Sequence, residues 1–132
     1  MTLSGNLIII ALTCLISWIG FKDRSFLERW LLNPYQARRK KRLAPYLTYG
    51  FVHADFTHLL FNMITLYFFG QIMEGFFRPH FGGFGYYIFY LGGIVVSVLP
   101  SALLNRNNPH YATLGASGAV SAVLFAYILL QP

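Results

Sequence analysis

The stretch His53-Ala54-Asp55-Phe56-Thr57-His58-Leu59-Leu60-Phe61-Asn62 carries the chain from a polar loop into an apolar run that continues to Phe77. Four-residue spacing puts His58 and Asn62 on one helical face, one above the other. A helix starting near Thr57 brings Asn62 roughly 8 Å inward at 1.5 Å per residue. Polar side chains this close to hydrocarbon are expensive and are mostly kept for function. Satisfying buried backbone carbonyls accounts for the pair equally well at this level.

Three further apolar runs flank this one, at 7–21, 84–104 and from Gly118 to Leu130. The chain is 56% hydrophobic and 11% charged, against about 25% charged in soluble domains. That balance excludes an ordinary soluble domain and predicts an all-α, multi-pass membrane protein. Its helices are expected at about 7–21, 58–77, 84–104 and 116–131, in one domain without internal repeats. The first run lacks a preceding basic residue and a following small-residue cleavage pattern. It therefore reads as an uncleaved anchor rather than a signal peptide. Pro100 is expected to kink or end the third helix. The fourth run is shorter than the roughly 20 residues of a span, which suggests a recessed helix in a chain cut before its end.

Residues 22–57 form a long polar loop. Ser25 and Glu28 have capping-box spacing, and Phe26, Leu27, Trp30 and Leu31 make one apolar face. This predicts a short helix, ended near Asn33-Pro34, lying in the membrane interface or packed on the protein. The net charge of +6 is concentrated in Arg38-Arg39-Lys40-Lys41-Arg42. Beside apolar spans such a block reads as an anchor for anionic lipid, not a nucleic-acid site. The single cysteine, Cys14, excludes an intrachain disulfide.

The fourth run opens with Gly115-Ala116-Ser117-Gly118-Ala119. Ser117 would lie at a helix N-terminus, where unpaired amides favour an oxyanion. The soluble-hydrolase elbow is excluded, because Ala119 stands where that motif has glycine. Gly118, Ala122 and Ala126 also form a small-residue stripe suited to close helix packing. Consecutive spans alternate direction, so the second and fourth helices start at the same membrane face. Ser117, His58 and Asn62 can then converge in a recessed polar pocket, the inventory of a nucleophile with oxyanion donors.

His58-x-x-x-Asn62 at one helix start, with Gly115-Ala116-Ser117-Gly118 opening the second helix after it, resembles the rhomboid family of intramembrane serine proteases. His53, five residues before His58, matches a further histidine of that pattern. The resemblance covers about residue 45 to the end. It implies a rhomboid-like transmembrane helix bundle with four of six helices present. It implies cleavage of transmembrane protein substrates by a serine–histidine dyad, without metal or cofactor. Ser117 would be the nucleophile. His58, Asn62 and the Ser117 amide would hold the oxyanion. His53, Gly115 and Gly118 would support the site.

The family's general base, a histidine on the sixth helix, has no counterpart in the chain. His110 precedes Ser117 in a polar loop, and His80 lies on the opposite membrane side, so neither fills that role. Ala44-Pro45 stands where many members have Trp-Arg. The 132 residues alone are therefore expected to be inactive. Their small-residue stripe is expected to be unpaired and poorly packed. A bacterial cell membrane, with lipids and transmembrane substrates as partners, is the expected setting. The basic first loop points to the cytoplasm under the positive-inside rule, whereas the resemblance places it outside.

Three other readings have distinct signatures. A non-catalytic binder of transmembrane helices fits the missing base. A metal site would need His53, His58 and His110 to meet. A transporter would need paired half-helices or a charged pathway within the spans, and nothing suggests either.

Overall fold

The computed structural model describes residues 4–130. Its helices are α1 (Gly5–Lys22), α2 (Arg24–Trp30), α3 (Pro34–Arg39), α4 (Pro45–Thr48), α5 (Phe56–Phe81), α6 (Gly85–Leu104) and α7 (Ser117–Leu130). A 3-10 turn, Tyr49–Phe51, follows α4. Among the described residues the only β pairing is one bridge between Leu32 and Thr113. The architecture is an all-α membrane bundle. Helices α1, α5 and α6 are long and apolar enough to cross a bilayer. The 14 residues of α7 rise about 21 Å. The expected last residue of that helix, 131, lies outside the described residues.

The bundle is apolar on both sides. Leu66 and Met73 of α5, Tyr90 and Ile94 of α6 and Val123 of α7 are buried against one another. Leu15 and Trp18 of α1, Phe61 and Phe68 of α5, Ile88 of α6 and Phe125 of α7 point outward and are more than half exposed. Hydrocarbon, not water, suits such a surface.

Several local expectations are corrected. Of the two outcomes expected at Pro100, ending the helix does not occur: α6 continues to Leu104. Neighbouring helix turns carry the segment past the one missing N–H. The Ser25–Glu28 capping box does not form. The cap of α2 is Asp23, whose carboxylate accepts from the amide of Phe26 at 3.1 Å, and Ser25 instead accepts from Arg29. Loop 22–57 holds three short helices rather than one. Asn33-Pro34 starts the second of them: Asn33 accepts from the amide of Gln36, and Pro34 occupies the first helical turn, where its missing N–H costs nothing. Nor is the stripe on α7 unpaired. A Cβ on Gly118 would collide with Ser97 of α6. One on Gly93 of α6 would lie 3.6 Å from Ala122. The small residues let α6 and α7 approach closely.

At the face opposite the start of α7, the carboxylate of Glu74 on α5 caps α1. It accepts from Ser4 Oγ at 2.6 Å, the Gly5 amide at 2.7 Å and the Asn6 amide at 3.1 Å. Helix N-termini leave such amides unpaired and favour negative charge. Asn6 extends the link, donating to Leu66 O at 2.9 Å and accepting from Tyr86 OH at 2.7 Å. Glu74→Ala would strand these donors in a buried setting. It is expected to lower stability by about 2–4 kcal/mol. Glu74→Gln, which keeps one acceptor, should lose less. Unfolding midpoints in detergent would measure both, and an unchanged midpoint for the alanine variant would contradict the account.

Candidate active site

The loop before α7 is stitched to the first loop. Leu32 and Thr113 exchange backbone bonds of 3.0 and 2.8 Å, and Gly115 donates to Tyr49 O at 2.9 Å. The side chain of Asn33 donates to Pro109 O at 3.0 Å. Gly115 has φ +113°, a conformation that side chains disfavour. It turns the chain so that Ala116 enters the core and Ser117 begins α7. The first intrahelical bond of α7 runs from Val120 to Ala116 O. The amides of Ser117, Gly118 and Ala119 thus lie in the first turn, ahead of any intrahelical acceptor.

His53 is the hinge-pin of this assembly. Its side chain is 1% exposed. The Ala116 amide donates to Nε2 at 3.1 Å, so Nε2 must be the unprotonated nitrogen. The Asn62 amide group lies 3.0 Å from the same atom. Nδ1 then carries the proton and donates to Ser17 Oγ on α1 at 3.0 Å. The Ser17 hydroxyl in turn donates to Phe51 O at 2.8 Å. One ring therefore joins α1, α5 and the start of α7. Burial, then the charge of His58, hold its pKa down to about 4, with Asp55 opposing. His53 is neutral at pH 7, as its acceptor role requires.

His58 lies at the mouth of the same site, with its side chain 72% exposed. Asp55 caps α5, accepting from the His58 amide at 2.9 Å. Its oxygens also lie 2.8 and 2.9 Å from His58 Nδ1. Those bonds, the backbone amide first and the ring second, pull the Asp55 carboxyl below its usual range.

His53, His58, Asn62, Gly115 and Ser117 line one cavity of about 170 Å³. Ser117 is exposed to it, and its hydroxyl has no hydrogen-bond partner among the described residues. A second cavity of about 170 Å³ meets Ser117 from the other side, lined by hydroxyls of Tyr49, Ser97, Ser101 and Tyr111 together with Gly118. His110 lines neither. Among the described residues no three His, Cys, Asp or Glu side chains gather as a metal-holding group. Sequence reasoning missed Ser17 and Asp55. A lone serine inside the first apolar run was a usable signal. So was an Asp three residues before His58, the usual spacing of an N-cap.

A helix bundle built for the bilayer, with a helix-terminal serine sharing one cavity with two histidines and an asparagine, defines an integral membrane protein. Residues 40–132 match the family described as Rhomboid domain, and the chain belongs to the rhomboid family. It is 29% identical to RHOMBOID-like protein 12, mitochondrial, of Arabidopsis thaliana, over 98% of this chain and 43% of that protein. It is 32% identical to Rhomboid-like protein 11, chloroplastic, of the same plant, over 86% of this chain and 38% of that protein. The chain thus spans about two-fifths of the length of these relatives. Their names place them in organelles and lend no support to a bacterial membrane.

Proposed function

We propose that the protein is an intramembrane serine endopeptidase that cuts transmembrane protein segments, and that residues 1–132 are the first part of its rhomboid domain. The observation that carries this reading is the shared cavity of Ser117, His58 and Asn62. Ser117 Oγ attacks the scissile carbonyl carbon. Its proton passes to a general base contributed from beyond residue 132, and then to the departing amine. The oxyanion takes hydrogen bonds from the Ser117 amide, from the second N–H of the Asn62 side chain and from the His58 side chain. Water hydrolyses the resulting ester and restores Ser117. His53 positions Ala116 and Asn62 without touching substrate.

The test is cleavage of a single-pass membrane substrate by the full-length protein in proteoliposomes. Cuts at the membrane border are expected. Tight binding of transmembrane helices without any cleavage would instead favour a non-catalytic binder.

The Asp55–His58 pair adds a finer expectation. Asp55→Asn keeps a side-chain cap on α5 but weakens the contact that orients the His58 ring. It should lower kcat by about two- to fivefold, the small effect of a solvent-screened pair, with KM little changed. A change confined to KM would mean that the pair contacts substrate instead.

A further inference from the structure

Nine of the ten lysines and arginines lie at the end of the bundle where α1 and α6 finish and α5 and α7 begin; Arg78 is at the other. Four of the nine converge. Arg38, Lys41 and Arg42, from α3 and the turn after it, join Arg106, just past α6, around a groove of about 650 Å³. Among the described residues none of the four has a carboxylate within ion-pair distance. The turn is specific: Lys41 has φ +54°, and the Arg42 amide donates back to Ala37 O at 2.9 Å. Arg38 reaches across the groove to donate to Asn107 Oδ1 at 3.2 Å.

Below the cations the groove is apolar, walled by Leu43, Tyr46, Leu99 and Leu103. Leu43 is 81% exposed and Leu103 is 63% exposed. Leu99 and Leu103 stand one turn apart on α6, a candidate span, so the apolar wall descends from the charged rim toward the hydrocarbon. Like charges around one groove repel, and an anion among them relieves that repulsion. The anion must also carry apolar length to cover the wall below.

We propose that this groove binds one anionic phospholipid. Its phosphate sits among Arg38, Lys41, Arg42 and Arg106, and an acyl chain lies along Leu99 and Leu103. The bound lipid clamps the α3–α4 segment to the end of α6. Its residues are separate from the Ser117–His58 cavity, so the proposal stands apart from the peptidase reading.

Native mass spectrometry of the delipidated full-length protein tests this, with phosphatidylglycerol and phosphatidylcholine of the same acyl chains as probes. One phosphatidylglycerol is expected to bind at least about tenfold more tightly than phosphatidylcholine. The double variant Arg38→Gln/Arg106→Gln should lose about tenfold or more of that preference, at about 1 kcal/mol per cation near a lipid surface. Arg24→Gln/Arg29→Gln, which removes equal charge away from the groove, should keep it. Arg38→Lys/Arg106→Lys, which preserves both charges, should keep most of it and guards against a folding defect. Equal retention of the two lipids would overturn the proposal. So would equal losses in both glutamine variants, which would mean diffuse attraction. Displacement by equimolar inorganic phosphate would also overturn it, since an anion site without acyl contact would suffice.

Discussion

Ser117→Ala in the full-length protein is expected to lower cleavage of a transmembrane substrate by at least about 10⁴-fold, the usual consequence of removing a serine nucleophile. The fold should survive. The Ser117 hydroxyl bonds to none of the described residues and faces a cavity, so its loss strands no buried partner. Substrate binding should survive too, because Asn62, His58 and the α7 amides remain. Undiminished cleavage by this variant would remove Ser117 from the chemistry, whatever the family's habits.

The second large effect concerns His53. His53→Ala would leave the buried Ala116 amide without its acceptor and Asn62 without its ring partner. Each lost bond to a buried donor costs about 1–3 kcal/mol, so destabilisation of about 3 kcal/mol is expected. Cleavage should also fall by about 10²-fold, because small displacements of a reacting group are heavily penalised. The ring also predicts a pH dependence. Its pKa is about 4 in the folded protein against 6.5 for an unperturbed histidine. Between these values the unfolded chain binds a proton that the folded chain refuses, so stability rises with pH. His53's contribution is full above about pH 6.5 and is lost as pH falls toward 4. The span corresponds to about 3 kcal/mol. Thermal unfolding between pH 4 and 7 should show this loss in the wild type, and His53→Ala should flatten it.

Much of this architecture is legible in the residues. Apolar runs and sparse charge identify the bundle, because hydrocarbon imposes that pattern on any spanning helix. The fourth apolar run and the glycines around Ser117 announce a helix start. Less legible is the first loop. Both Asp23 and Ser25 can cap a helix, and the winner follows from how α1 ends rather than from spacing. Pro100 shows the same limit, since α6 runs on past it to Leu104. The Ser17–His53 link joins residues 36 apart and leaves no local trace. Glu74 likewise looks like a stray charge in a span until the N-terminus of α1 is placed against it.

The most direct test of the central claim is reaction of the full-length membrane protein with a serine-directed fluorophosphonate, followed by peptide mapping. The account predicts one adduct, on Ser117, that is lost in the Ser117→Ala variant. A protein that stays unlabelled while remaining folded, or an adduct on another serine, would contradict it.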